Sequence, residues 1–404
     1  MADIQRLIHL RNKRERLVLG LMSGTSIDGL DIALCRFTGH GDTTQYEVIR
    51  HTTASYSAEQ SRILRELATQ EYVRMEDISI YHAELSHWHA ASILKTLKHW
   101  DVDSSEVDLI ASHGQTIRHA PRRIHGKPNL PDSTFQLGDG DHLAELTGII
   151  TISDFRQKHV AAGGEGAPLA GYGDALLFRD TSTVRVLLNV GGISNITLLT
   201  PESNLDELPL TFDTGPGNTL MDAVVRAAFP ELKYDEGGIF AASGVVNHEL
   251  LNVLLRHPYF AQQPPKTTGP EAFSTAFLDE SLKKTGSSTI HPNDLLATLN
   301  RFTAQTIADG IQSSLRSRDI GNNLVEVYIS GGGAHNATLI QNLKECLTDC
   351  IVIDFSRLGV HPDAKEALLF ALFANELIMG GTFPVSDSNG NIKHVALGKI
   401  SVPG

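Results

Sequence analysis

Residues Leu17–Phe37 read LVLGLMSGTSIDGLDIALCRF: an apolar strand, a glycine-rich polar turn and a second apolar strand. The turn, Ser23-Gly24-Thr25-Ser26-Ile27-Asp28-Gly29-Leu30-Asp31, crowds small residues, hydroxyls and two carboxylates between the strands. Small residues let backbone N–H groups approach an anion, hydroxyls donate to it, and a carboxylate holds a counter-cation. A bare hairpin needs only Gly or Asn-Gly. The surplus polar chemistry suits phosphate with a divalent metal.

The pattern recurs. Val184–Leu199 (VRVLLNVGGISNITLL) is again strand, turn and strand, now centred on Gly191-Gly192. Two such hairpins, one near the start of each half, read as an internal duplication. A third glycine site follows the strand Val325–Ser330, where Gly331-Gly332-Gly333-Ala334-His335-Asn336 leads into a helix. Backbone there can lie against a nucleotide at a helix N-terminus. It lacks the Gly-Lys-Ser/Thr of a Walker loop, and a dinucleotide fingerprint belongs after the first strand. Together the three glycine sites predict a nucleotide clasped between two similar domains.

Length and composition agree. The 404 residues exceed what one core usually holds, so two domains are expected. With 41% hydrophobic and 20% charged residues the chain has the composition of a globular protein. Its net charge of −13 argues against nucleic acid or an anionic membrane as main partner. The N-terminus is charged and lacks the apolar core of a signal peptide, and no apolar run approaches the roughly 18 residues of a membrane span. Three cysteines (Cys35, Cys346, Cys350) are too few for a disulfide scaffold, and Cys346 and Cys350 have no second ligand pair for zinc. A cytoplasmic protein is the expectation.

Between the hairpins, Ser57–Trp100 reads as helical, and its His82, His87 and His89 as surface or interface histidines. Val107–Ser112 reads as a buried strand entering a polar loop, His113-Gly114-Gln115-Thr116. A helix at 141–147 and a strand at 149–153 follow, giving an α/β layer. Asp154–Gly173 is glycine-rich and reads as a domain boundary or a substrate loop. The division is therefore placed at 1–160 and 161–404, with a return of the last helices to the first domain left open.

The chemistry centres on acids. The apolar run LPLTF leads into Asp213-Thr214-Gly215-Pro216-Gly217-Asn218 and a helix over Thr219–Ala228. A strand would aim Asp213 into a cleft, and it stands too far from the helix start to cap it. It is read as a catalytic carboxylate, because phosphoryl transfer needs a base for the nucleophile. Gly215 and Gly217 let backbone approach a ligand. Asp28 is assigned to a metal and Asp31 to structure. Glu366, at the start of a helix over 364–378, is a second metal candidate, although the helix dipole also favours Glu there. Asp154 and Arg156 offer an acid and a forked donor to a ligand, or a local ion pair.

With these residues assembled, the chain resembles the anhydro-N-acetylmuramic acid kinase family of the actin/hexokinase/Hsp70-like superfamily. The resemblance spans nearly the whole chain and rests on ordered motifs. They are MSGTSIDGLD (Met22–Asp31), SHGQT (Ser112–Thr116), SDFRQKHVAAGGEGAPL (Ser153–Leu169), NVGGISNIT (Asn189–Thr197) and FDTGPGN (Phe212–Asn218). YDEGGIFAASG (Tyr234–Gly244), PPKTTG (Pro264–Gly269), SGGGAHN (Ser330–Asn336) and KEA (Lys365–Ala367) complete the set.

The resemblance implies two ribonuclease H-like α/β domains with a nucleotide cleft, and use of ATP and Mg2+. It implies hydrolysis of the 1,6-anhydro bridge of anhydro-N-acetylmuramic acid with phosphorylation of its 6-oxygen, in cell-wall recycling by a homodimer. Asp213 would then be the base, and Asp28 and Glu366 would lie near magnesium. Gly24, Thr25, Ser26, Ile27, Asp28, Gly29, Leu30 and Asp31, with Gly191 and Gly192, would meet nucleotide phosphates, Gly331, Gly332 and Gly333 the adenosine, and Gly215 and Asn218 would also touch the nucleotide. His113, Asp154 and Arg156 would meet the sugar. The chain departs from the family's GAPLVP and TGRE, reading Gly166-Ala167-Pro168-Leu169-Ala170-Gly171 and Thr268-Gly269-Pro270-Glu271. A levoglucosan kinase is the alternative sugar kinase. An actin- or Hsp70-like ATPase is the alternative from another class, but the chain offers no peptide-binding domain.

Overall fold

The computed structural model describes residues 2–201, 209–318, 320, 324–387 and 390–404. By density of internal contacts the described chain forms two compact units, residues 2–177 with 363–404, and 178–201 with 209–362. Each is organised on its own sheet.

In the first unit, β1 (Glu15–Ser23) and β2 (Gly29–Thr38) form the antiparallel hairpin read from the sequence, with Glu15 opposite Thr38 and Met22 opposite Asp31. β3 (Gln45–Ser55) pairs antiparallel with β2. On the other side, β4 (Leu109–Ala120) lies parallel to β1, and β6 (Thr151–Ser153) lies parallel to β4. β5 (Ser133–Leu137) pairs with the far half of β4. β4 therefore continues through His113–Thr116, where a loop was expected. β5 supplies the partner that the one-dimensional pattern does not show.

The second unit repeats the plan. β7 (Val184–Val190) and β8 (Ile193–Leu199) form the second hairpin, and β9 (Leu210–Pro216) pairs antiparallel with β8. β10 (Val325–Ser330) lies parallel to β7, and β11 (Cys350–Asp354) parallel to β10. Taking each unit's principal strands in chain order, both sheets run 3-2-1-4-5, with the first three antiparallel and the rest parallel. That shared order and sense is the ribonuclease H-like sheet, and it bears out the duplication and the α/β fold class. In the first unit, β14 (Lys399–Ser401) extends the sheet beside β6. β12 (Phe383–Ser386) and β13 (Ile392–Val395) form a separate pair.

Helices cover these sheets where apolar side chains repeat at helical spacing. The stretch read as helical over 57–100 is two helices, Ala58–Thr69 and Met75–Trp100, the first started by a Ser57–Gln60 capping box. Ile93 and Leu97 of the longer one join Leu19, Leu21, Ile32 and Ile110 in the core. Helix Lys365–Met379 packs on β1, β2 and β4. It passes so close to Gly20 that a Cβ there would lie 1.9 Å from the Ala367 carbonyl oxygen. Beneath it, fully buried Arg16 donates through Nε to Asn375 Oδ1 at 2.7 Å and through its terminal nitrogens to the Lys13 and Gly39 carbonyls. In the second unit, helix Pro292–Ser317 lays Ala304, Ile307, Ala308 and Ile311 on Val186, Leu188, Ile196 and Phe212. No helix among the described residues is long and apolar enough to cross a membrane.

Candidate functional site

The first glycine turn is held from outside. Ile27 is buried at φ 52°, a region costly for a β-branched residue, and packs with Leu64, Leu67 and Leu85. Ser61 Oγ donates to the Ile27 carbonyl at 3.0 Å, and the Tyr56 N–H donates to the Asp28 carbonyl at 3.0 Å. Leu30 is buried in the sheet core, so Ile27 and Leu30 can offer a ligand only main chain. Thr25, Ser26 and Asp28 are exposed, and Ser26 Oγ donates to Asp28 Oδ1 at 2.8 Å. Gly29 lies in β2 opposite Ser55.

Below the turn runs a buried polar chain that sequence reasoning left unassigned. Ser23 Oγ donates to Gln115 Oε1 at 2.5 Å and meets the Tyr56 hydroxyl at 2.7 Å, which in turn meets His89 Nε2 at 2.8 Å. Gln115 Nε2 donates to the Gly24 carbonyl at 3.2 Å. His89, expected at a surface or interface, is 1% exposed, and burial pushes its pKa down to about 3. The sequence signal for this network was Gln115 in the polar run His113–Thr116 that continues an apolar strand.

Negative charge gathers beside the turn in the same unit. Asp31 accepts from Thr53 Oγ1 at 2.5 Å, and burial raises its carboxyl, with Asp28 and Asp363 adding to the rise. Glu366 is reached by solvent yet crowded by protein. That crowding raises its carboxyl, with Asp31 and Asp174 adding to it and Lys365 and Arg156 opposing. Among the described residues no three His, Cys, Asp or Glu side chains group into a cage for a metal ion. Asp28 and Glu366 offer carboxylate oxygens, the donor type that a hard divalent cation takes together with water and phosphate oxygens.

Asp154 and Arg156 do not pair with each other. Asp154 pairs with Lys399. Arg156 donates from Nε to His113 Nε2 at 2.8 Å and from Nη1 to the Gly166 carbonyl at 2.8 Å. Since the guanidinium can only donate, His113 Nε2 accepts, and Nδ1 carries the proton given to the Gly114 carbonyl at 2.8 Å. Burial lowers the His113 pKa to about 3, with the Arg156 charge adding to the shift, so the ring is neutral. His113 and Asp154 line a cavity of about 420 Å³ with His82, Phe135, Asp139 and Lys399, among others. Its size and polar walls fit a small sugar. The stretch 154–173, expected as a domain boundary or substrate loop, holds helix Phe155–Ala162 and the first turn of helix Ala170–Phe178.

In the second unit the glycine sites converge. The Gly217 and Asn218 N–H groups donate to the Gly192 and Gly191 carbonyls, both at 2.8 Å. A Cβ on Gly217 would lie 2.3 Å from the Gly191 oxygen, so the two turns can touch only with glycine there. Asn218 Nδ2 donates to the Val190 carbonyl at 3.3 Å. Gly331 and Gly333 press on Asn189 and Val190 at the end of β7, and Gly332 lies near Asn218. Gly215 instead faces the Phe260 ring, so its missing side chain serves packing.

Asp213 lies within β9 rather than at its end, and Leu208, the first residue of the apolar run, lies outside the described residues. Opposite Asn195 and beside a register shift, the strand bends locally there. Asp213 Oδ2 accepts the Thr268 N–H at 2.9 Å. Burial raises the Asp213 carboxyl, and that hydrogen bond partly opposes the rise. A partly desolvated carboxylate with one oxygen anchored is suited to taking a proton.

Comparisons with known proteins identify the family. A family model described as anhydro-N-acetylmuramic acid kinase matches residues 16–403. The chain belongs to the anhydro-N-acetylmuramic acid kinase family. It is therefore a kinase, a phosphotransferase with an alcohol acceptor, and it uses ATP. The anhydro-N-acetylmuramic acid kinase of Pseudoalteromonas atlantica is 43% identical over 401 residues, covering 99% of both chains. That of Caldanaerobacter subterraneus is 38% identical over 400 residues, covering 99% of this chain and 100% of its own. Among solved structures, the chain is similar to component A of the Acidaminococcus fermentans (R)-2-hydroxyglutaryl-CoA dehydratase. The TM-score is 0.42 and the identity 12%, over 90% of this chain and 99% of that one. The levoglucosan alternative finds no support in the family model or these relatives.

Proposed function

We infer that the chain hydrolyses the 1,6-anhydro bridge of anhydro-N-acetylmuramic acid and phosphorylates the freed 6-oxygen. The family match carries the substrate, and the buried, one-side-anchored carboxylate of Asp213 supports the assignment of the base. Asp213 takes a proton from water as that water's oxygen bonds to the anomeric carbon. The bond from that carbon to the 6-oxygen breaks, and the 6-oxygen takes the γ-phosphoryl group as its bond to ADP breaks. The products are N-acetylmuramic acid 6-phosphate, ADP and one proton.

In this reading the amides of Gly24–Asp31 and of Gly191-Gly192 receive phosphates, and Gly331–Gly333 receive the adenosine. Asp28 and Glu366 hold magnesium, which when bound neutralises phosphate charge. His113, Asp154 and Arg156 border the sugar. The polar cavity lined by His113 and Asp154 supports the sugar-side roles. Three free cysteines favour a reducing, cytoplasmic setting, where the product would enter cell-wall recycling. The family resemblance favours a homodimer, which light scattering would test.

The deciding experiment incubates the protein with anhydro-N-acetylmuramic acid, ATP and magnesium in 18O-labelled water. A 6-phosphate carrying the label at the anomeric hydroxyl is expected by mass spectrometry. Faster turnover of levoglucosan in a parallel assay, or an unlabelled product, would overturn the reading.

A further inference from the structure

Asp213 is gripped on three sides by one short segment. Its main-chain N–H donates to the Lys266 carbonyl at 3.0 Å, and its carbonyl accepts the Tyr259 hydroxyl at 2.5 Å. Its Oδ2 accepts the Thr268 N–H at 2.9 Å. β9 is the last strand of its sheet, so residues 266–268 occupy hydrogen-bonding positions that an edge strand leaves open. Tyr259 is itself fixed. It is 5% exposed among Leu220, Leu254, Phe273 and Phe302. Lys266 Nζ stands 4.6 Å from its ring centre and donates to its carbonyl at 3.1 Å. Oδ1 of Asp213 has no partner among the described residues and is left to meet a proton donor.

We propose that Tyr259 and the main-chain N–H of Thr268 are positioning groups for the Asp213 carboxylate, Tyr259 fixing the backbone that carries it and Thr268 holding one oxygen so that the other faces the proton. The proposal rests on Asp213 being the base. The segment has a second consequence, since an N–H donated to a carboxylate favours its charged form and so keeps the base ionised against the pull of burial. Among the described residues, Tyr259 is the titratable group that feels the Asp213 charge, and Lys266 meets Asp213 through its main-chain carbonyl. β8 presents uncharged Asn195 opposite it.

The test uses the full chain with ATP, magnesium and the anhydro sugar. Thr268→Pro removes the N–H, while Thr268→Ala keeps it. Thr268→Pro is expected to lower kcat and to move the acid limb of its pH profile upward, and Thr268→Ala to leave that limb in place. Tyr259→Phe is expected to lower kcat by about tenfold or more, as small misplacements of reacting groups do, with KM for ATP and the melting midpoint close to the parent's. If Thr268→Pro gives no cooperative melt, Tyr259→Phe decides alone. An inactive Asp213→Asn beside Tyr259→Phe and Thr268→Pro proteins of parental kcat and unmoved acid limb would overturn the positioning role and keep the base. Parental turnover by Asp213→Asn would overturn both.

Discussion

Arg156 and His113 meet through one directed hydrogen bond, guanidinium Nε to imidazole Nε2 at 2.8 Å, which fixes the tautomer of a neutral ring on the wall of the polar cavity. A lysine could not keep that bond and the one to the Gly166 carbonyl together, because it lacks the planar fork. Arg156→Lys is therefore expected to raise KM for the anhydro sugar by about five- to tenfold, the scale of one lost hydrogen bond. KM for ATP should stay near its parent value. Steady-state kinetics with each substrate varied in turn checks this, and equal rises in both constants would speak against a sugar-side role.

Asp213→Asn keeps the shape of the side chain and removes the proton acceptor. It should fold and bind ATP with parental affinity while losing roughly 10²–10⁴ in turnover, the usual contribution of a general base. In the parent, burial raises the Asp213 carboxyl, so activity should fall on the acid side at a pH above the ordinary aspartate value of about 4. A pH–kcat profile flat through that region would contradict the assignment.

Gly217 and Gly24 should respond differently to the same change. A Cβ on Gly217 collides with the Gly191 carbonyl at 2.3 Å, whereas the nearest atom to one on Gly24 is 3.7 Å away. Gly217→Ala should cost about 1–3 kcal/mol in unfolding free energy through overpacking, and raise KM for ATP by prising the glycine turns apart. Gly24→Ala should melt like the parent. Differential scanning calorimetry separates the two, and equal melting temperatures would refute the packing role of Gly217.

Buried neutral histidines make stability depend on pH. His89 and His113 sit near pKa 3 when folded, against about 6.5 unfolded, and His159 is lowered to about 4. Between those values the unfolded chain binds the proton and the folded chain does not. Stability should thus be insensitive to these rings above about pH 6.5 and fall below it, by up to about 1.4 kcal/mol per pH unit for each ring. Urea unfolding of His89→Gln at pH 7 and pH 5.5 should show a shallower loss than the parent. An unchanged slope would mean that His89 is not buried in its neutral form.

Much of the fold was legible because period-two apolar runs and glycine turns are local signals. Both hairpins and helix Thr219–Ala228 follow from them directly. His113–Thr116 misled, since a polar strand segment with its partner in β5 looks like a loop when only neighbours in sequence are considered. His89 misled for a related reason. Tyr56, in the link after β3, stacks on it with ring centres 6.2 Å apart, a contact made across the fold.

The sequence by itself determined the inventory: two glycine hairpins, the Gly331–Gly333 turn, the acids at 28, 31, 213 and 366, and the family they resemble. Residue types and short spacings carry that information. Tertiary structure alone decided the partners. It joined Arg156 to His113, set Gly217 on Gly191, ran Ser23 through Tyr56 to His89, and gripped Asp213 with Tyr259 and Thr268. Each of those contacts joins residues 20 or more apart in sequence. Their directions depend on sheet register and on loops returning to an edge strand, which no local propensity encodes.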